Sequence, residues 1–182
     1  MDNGASSYRR YLNGDEEAFS EIVKEYFDNL VFFIHRYVSD YQAAEDIALD
    51  VFTQLVVNKR RYNFSVSLKT YLFMIGRSRA LDYIKHRDKL PMAELSEAAQ
   101  VAADEPSLEE MLLADERKRM VNDAMKQLDE QLHLVIHLVY FEELSPDEAA
   151  KVLKKSRKQV YNLLYRAKNA LRAILKEGGE LL

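Results

Sequence analysis

The sequence predicts an all-α protein of two small helical domains joined by an acidic linker, the C-terminal one a helix-turn-helix. Three observations point there. Apolar residues recur at helical spacing over long stretches. Glycine and proline number only 5 and 3 among 182 residues, too few for a turn-rich β domain. A stretch near 91–107, acidic and rich in small residues, separates two helical blocks. Hydrophobic residues make up 48% and can fill a core, and 31% charged residues is an ordinary value for soluble domains.

The elements follow in order. Asn13-Gly14 before Asp15-Glu16-Glu17 reads as a helix start, with acids over the positive end of the helix dipole. Phe19, Ile22, Val23, Tyr26, Leu30, Ile34 and Tyr37 then mark one face. Ser39-Asp40 breaks the chain and caps a second helix, which places Ala44, Ile47, Ala48, Val51 and Leu55 together. Lys59 to Phe64 is a short basic and aromatic loop. A third helix runs from about Leu68 to Arg87, with Leu68, Leu72, Ile75 and Ile84 as inner residues; Gly76 within it marks a close helix contact. Residues 91–107 form the linker, closed by Asp104-Glu105-Pro106-Ser107. Ser107-Leu108-Glu109-Glu110 has the form of a capping box opening a helix that extends to Leu128. Leu132 to Phe141 predicts a buried helix. The domains are therefore expected at 1–90 and 108–182.

Leu144 to Lys176 carries the sharpest signal. Ser145-Pro146-Asp147-Glu148 is a capping box with proline at the first helical position. Its helix ends near Leu153, and Lys154-Lys155-Ser156 forms a turn. Ser156-Arg157-Lys158-Gln159 is a second capping box. The helix after it buries Val160, Leu163, Leu164, Ala167 and Leu171 and exposes Arg157, Lys158, Tyr161, Asn162, Arg166, Lys168 and Arg172. A short helix, a tight turn and a longer helix with a basic outer face form the helix-turn-helix pattern, whose second helix reads base edges with its N-terminal residues. Arginine pairs bidentately with guanine, and glutamine or asparagine with adenine.

Charge distribution supports two nucleic-acid faces in a chain of net charge −4. Residues 1–58 hold 4 basic and 11 acidic side chains, and 59–89 hold 9 basic and 2 acidic. Residues 92–116 hold 8 acidic and no basic ones, and 149–176 hold 9 basic and no acidic ones. The local field, not the total, attracts phosphate. In Lys59-Arg60-Arg61-Tyr62-Asn63-Phe64 cations alternate with aromatics, a composition suited to unpaired bases, although such rings also serve as core plugs. DNA binding through these blocks is expected to weaken steeply with salt.

Other chemistries find little support. The absence of cysteine removes disulfides, thiolate zinc sites and thiol nucleophiles. His133 and His137 share a metal-site spacing but lie in an apolar helix without an HExxH pattern, so no metal is expected. No GxxxxGK[ST] or GxSxG motif occurs, and no enzyme, catalytic residue, cofactor or small-molecule substrate is expected. Asp46 and Asp50 share a helix face and read as an exposed acidic contact patch. No apolar run approaches the roughly 20 residues of a membrane helix. Met1-Asp2-Asn3-Gly4 lacks a signal peptide's basic and apolar stretches, so a cytoplasmic location without membrane insertion is expected.

Five segments in order resemble the extracytoplasmic-function (ECF) sigma factors, the smallest of the sigma-70 class, over about residues 13–176. Gly14-Asp15-Glu16-Glu17-Ala18-Phe19 is similar to that family's GDxxAF opening. Ala44-Glu45-Asp46-Ile47-Ala48-Leu49-Asp50-Val51-Phe52 resembles AEDxxQExF. Leu68 to Arg77 with Ala80 to Lys85 resembles WLxxIARNxxxDYLR. Leu128 to Gln131 with Tyr140 to Ser145 resembles LPxxxR…YFEGLS, and Arg166 to Leu171 resembles RARKAL. Tyr71, Ser78, Asp129 and Lys154 depart from the usual Trp, Asn, Pro and Gly.

The resemblance implies roles. Asp46, Asp50 and Gln54 would bind core RNA polymerase at its β′ coiled coil. Arg61, Asn63, Phe64, Arg77, Ser78 and Arg79 would engage the −10 promoter element, partly as a melted strand. Arg157, Lys158, Gln159, Tyr161, Asn162 and Arg166 would read the −35 element. Promoter DNA, core polymerase and an anti-sigma factor are the implied partners. The residues alone also leave open a stand-alone helix-turn-helix regulator.

Overall fold

The computed structural model describes residues 4–89 and 116–177, and every regular element among them is a helix. They are α1 Ala5–Leu12, α2 Glu16–Val38, α3 Tyr41–Val57, α4 Leu68–Arg87, α5 Glu116–Lys126, α6 Glu130–Ile136, α7 Pro146–Leu153 and α8 Arg157–Glu177. α6 runs on as a π-helical turn over His137–Phe141. The linker 91–107 and the capping box at Ser107–Glu110 lie outside the described residues. Two compact units result, the first built on α1–α4 and the second on α5, α6, α8 and residues 146–150 of α7.

In the first unit α2 is the central helix, packed against α1, α3 and α4. Short polar side chains set its ends and those of its neighbours. The Asp15 carboxylate accepts from the Ala18 N–H at 3.3 Å and starts α2. Ser39 stops that helix in the left-handed region at φ 58°, and Asp40 then caps α3 by accepting from the Ala43 N–H at 3.2 Å. The Ser67 hydroxyl accepts from the Thr70 N–H at 3.1 Å and opens α4. The expected α3 face, Ala44, Ile47, Ala48, Val51 and Leu55, is buried throughout.

Two features differ from expectation. The sequence gives no forewarning of α1, whose eight residues are too few to be stable alone. Tertiary contacts hold it: Tyr8 is wholly buried and Tyr11 nearly so. In α4 the inner residues are Leu68, Thr70, Leu72, Phe73, Gly76 and Ala80, while Ile75 and Ile84 are only half-buried. Gly76 explains the shift. A Cβ there would lie 2.9 Å from Leu30 Cδ1 and 3.3 Å from Ile34 Cδ1, so α4 turns its smallest residues to α2.

In the second unit α8 packs against α5 and α6. The Asp129 carboxylate caps α6, accepting from the Gln131 N–H at 3.0 Å. Residues 132–138 are all buried. The expected buried run to Phe141 ends early, because the π turn carries Tyr140 and Phe141 outward, each 51% exposed. Glu142 goes inward instead, with its Oε1 at 3.3 Å from His137 Nε2.

The Gly76 contact sets an expected outcome. Gly76→Val forces branched bulk against Leu30 and Ile34 and should lower unfolding free energy by about 1–3 kcal/mol, read as a lower urea midpoint.

Candidate nucleic-acid interface

The helix-turn-helix is assembled by two reciprocal caps. At α7 the Ser145 N–H donates to Glu148 Oε2 at 3.0 Å, and the Glu148 N–H donates to Ser145 Oγ at 3.3 Å. At α8 the Ser156 N–H donates to Gln159 Oε1 at 2.8 Å, and the Gln159 N–H donates to Ser156 Oγ at 3.2 Å. Between them Lys154 turns the chain at φ 51°, a conformation that favours glycine. Val160, Leu163, Leu164 and Ala167 are buried as expected, and Leu171 is half-buried. The opposite face exposes all six expected readers: Arg157, Lys158, Gln159, Tyr161, Asn162 and Arg166.

Three of these readers are partly engaged. The Gln159 side-chain oxygen serves the cap, so its amide NH₂ is the group left to meet a base edge. Arg157 Nε lies 3.2 Å from Asp147 Oδ1, and its guanidinium sits 5.5 Å from the Tyr161 ring centroid. Its hydrogen bond to the Tyr161 hydroxyl, and then Asp147, push its pKa further up. Tyr165 lies on the same face at 70% exposure and was missed from sequence, although it continues the four-residue step from Tyr161.

In the first unit an aromatic cluster fixes the basic loop. Tyr62 is buried, and its hydroxyl donates to the Val66 carbonyl at 2.7 Å. The Tyr8 hydroxyl donates to the Lys59 carbonyl at 2.8 Å, with the Leu55 carbonyl at 3.3 Å. The two hydroxyls thus tie both ends of the loop. The Tyr62 ring meets Tyr8, Phe64 and Tyr71 at centroid distances of 5.4, 4.6 and 5.0 Å. Asn63 Oδ1 accepts from the Ser65 N–H at 3.1 Å, across Phe64 at φ 60°. Phe64 is therefore half-buried and held from one side, whereas Arg61 and Asn63 are exposed. Part of the loop is a core plug and part is a presented surface.

The α4 residues do not share one face. Consecutive helix positions turn by roughly 100°, so Arg77 and Arg79 point apart. Arg79 is exposed and its Nη2 donates to Gln54 Oε1 at 3.1 Å; Arg77 and Ser78 are half-buried. An open groove of about 580 Å³ between α3 and α4 has Ile47, Asp50, Arg79, Asp82, Tyr83 and His86 in its lining. Gln54 and Asp50, expected at one site, thus adjoin Arg79, expected at another. Asp46 and Asp50 are exposed on α3 beside the exposed Leu49 and, further on, Val57. His133 and His137 stack with ring centroids 6.4 Å apart inside the second unit. Among the described residues no group of three His, Cys, Asp or Glu is placed to hold a metal, and no helix is long and apolar enough to cross a membrane.

Known proteins share this arrangement. Residues 22–90 match the family model for sigma-70 region 2, and residues 118–171 match that for sigma-70 region 4. The ECF RNA polymerase sigma factor SigW of Bacillus subtilis is 27% identical, over 93% of this chain and 95% of that protein. The RNA polymerase sigma-H factor of Pseudomonas aeruginosa is 28% identical, over 89% of this chain and 88% of that protein. The fold is that of RpoE in its complex with the anti-sigma factor NepR from Bartonella quintana: TM-score 0.60, 18% identity, 87% of this chain and 96% of that one. It is also that of CnrH bound to the cytosolic domain of CnrY: TM-score 0.59, 21% identity, 96% of both chains.

Two outcomes follow from the geometry. Burial, and then the neighbouring tyrosines, push the Tyr8 phenol up to about 12. Its neutral form is the one that the fold prefers, so that stability is complete below the unfolded tyrosine value and fades as pH rises from about 10 to 12. Thermal melts should fall across that window in the native chain and fall less in Tyr8→Phe. Lys154→Gly relieves the left-handed turn and should add about 0.5–1 kcal/mol to unfolding free energy, measured by urea titration.

Proposed function

This chain belongs to the sigma-70 family of RNA polymerase sigma factors, in its ECF branch, and from that premise we propose how its two helical units divide the work. As a sigma factor it directs core RNA polymerase to promoters in transcription initiation, a regulatory role. The first domain, residues 1–90, binds core polymerase and the −10 element. The second, residues 108–182, reads the −35 element. The linker 91–107 joins them. No bond of a substrate is made or broken by this chain, and no cofactor takes part. Its place of work is the cytoplasm, with the polymerase.

The observation that carries the reading is the α7–α8 pair, two capped helices across a tight turn with Arg157, Lys158, Asn162 and Arg166 exposed on one side. With Nε beside Asp147 and Nη2 at 3.5 Å from the Tyr161 hydroxyl, Arg157 gives up one of these exposed partners to meet a guanine edge bidentately. Gln159 acts as a donor only, because its oxygen serves the cap. Lys158 and Arg166 neutralise phosphates. In the first domain the exposed Arg61 and Asn63 share a loop with Phe64, a ring packed on Tyr62 on which an unpaired base can stack. Arg77, Ser78 and Arg79 contribute from successive sides of α4, with Arg79 beside Gln54 of α3. Strand opening then draws its free energy from capturing unstacked bases.

Asp46, Asp50 and Gln54 form the polymerase contact. An exposed acidic face with Leu49 and Val57 along it suits a basic, partly apolar coiled coil such as that of β′. An anti-sigma protein covering these faces is a further expected partner, as NepR is for RpoE.

In vitro transcription with core polymerase over a promoter pool tests the whole reading. Addition of the chain should yield transcripts from a defined promoter class, with template binding that falls steeply as salt rises. Asp46→Arg with Asp50→Arg should weaken core binding by more than about tenfold while the melt is retained. Arg157→Ala with Lys158→Ala should leave core binding intact and abolish the promoter preference. Tight binding to duplex DNA without polymerase would instead identify a stand-alone regulator.

A further inference from the structure

We propose that α1 is part of the single-strand site and that Arg9 is a DNA-contacting residue. The proposal rests on the reading that the Lys59–Phe64 loop receives unpaired bases. The match to sigma-70 region 2 begins only at residue 22, so α1 stands outside it. Yet α1 and the loop are interleaved through two reciprocal contacts. The Arg9 guanidinium lies over the Phe64 ring at 4.9 Å from its centroid, and Lys59 Nζ lies over the Tyr11 ring at 4.3 Å. The Tyr8 hydroxyl donates to the Lys59 carbonyl at 2.8 Å and joins the two segments a third time.

The helix is fixed at its start as well. Gly4, at φ 80°, lets the backbone approach so closely that a Cβ there would lie 2.8 Å from the Tyr26 hydroxyl and 3.0 Å from Leu68 Cδ2. Arg9 therefore projects from a firm base.

Its neighbour shows why Arg9 is the cation available to DNA. Arg10 is taken by Asp15 at 2.6 Å and Glu21 at 2.9 Å, which together hold its pKa up. Arg9, exposed like Arg10, has a ring and no carboxylate as its partner among the described residues. It adds one more exposed cation beside a loop that itself carries exposed Lys59, Arg60 and Arg61. A guanidinium over a ring in water is a weaker contact than a base stacked on that ring. A base extruded from the duplex takes Arg9's place on Phe64, and the displaced guanidinium pairs with the adjoining phosphate.

Holoenzyme assembled from core polymerase and the full chain tests this on two templates from a promoter selected in the transcription assay. One is duplex to the end; the other carries a single-stranded non-template tail over the melted segment. Arg9→Ala should weaken binding to the tailed template by about five- to tenfold and reduce the slope of log affinity against log salt by about 0.7, the share of one phosphate on single strands. Duplex binding and core binding should not change, and Arg10→Ala should match the native chain on both templates. Arg9→Lys should restore the salt slope, because the charge survives. An Arg9→Ala chain with native affinity or native salt slope overturns the proposal, as does an equal loss on both templates. If Phe64→Ala loses the tailed template while Arg9→Ala does not, the loop reading stands and the role of α1 falls. If the native holoenzyme gains nothing from the tail, both fall together.

Discussion

A cation can meet a phosphate only if its own chain has not already neutralised it, and this constraint organises the protein. Acids and bases are sorted by segment. Asp46 and Asp50 stand on the outer side of α3, and α8 carries no acid from Arg157 to Lys176. The exceptions are local. Arg10 is bound by Asp15 and Glu21, whose company also holds the Asp15 carboxyl below its usual range, chiefly through the Arg10 hydrogen bond. Such exposed pairs add little to stability, but they remove a cation from the surface that nucleic acid sees. Arg157 is a subtler case: Asp147 lies beside Nε and the Tyr161 hydroxyl 3.5 Å from Nη2, both contacts at the exposed surface.

Rigidity is the second requirement, because a charged face is useful only when its side chains are carried on a fixed backbone. Here the fixing is done at helix ends. Asp15, Asp40, Ser67, Asp129, Ser145 and Ser156 each accept from a backbone N–H of the first turn. Each such cap contributes about 1 kcal/mol, and together they set where one helix stops and the next starts. The loop between α3 and α4 has no cap of this kind, and the hydroxyls of Tyr8 on α1 and of Tyr62 tie its two ends instead.

Much of this was legible in the sequence because caps and amphipathic faces are local. The two capping boxes of the helix-turn-helix need only residues three apart, and the apolar step of α3 and α8 shows the buried side directly. The resemblance to ECF sigma factors rests on such segments, and the two family matches fall on the same parts of the chain. What escaped is what depends on distant partners. The pattern of α1 is too short to stand out, and it is the contact of Tyr8 with Leu55 and Lys59 that makes it a helix worth having. The inner face of α4 is set by the approach of Leu30 and Ile34 to Gly76. A π turn, invisible to a period of 3.6, moved Tyr140 and Phe141 to the surface and Glu142 inside.

The sequence by itself determined the all-helical class, the helix boundaries at capped ends, the placement of charge along the chain and the family. These depend on interactions within a few residues, where spacing alone fixes geometry. Tertiary structure decided which cations are available and which rings are. It paired Arg79 with Gln54, buried Tyr62 while leaving Phe64 half open, and set Arg9 over that ring. Those outcomes depend on how helices far apart in the chain approach each other, and no local spacing encodes that approach.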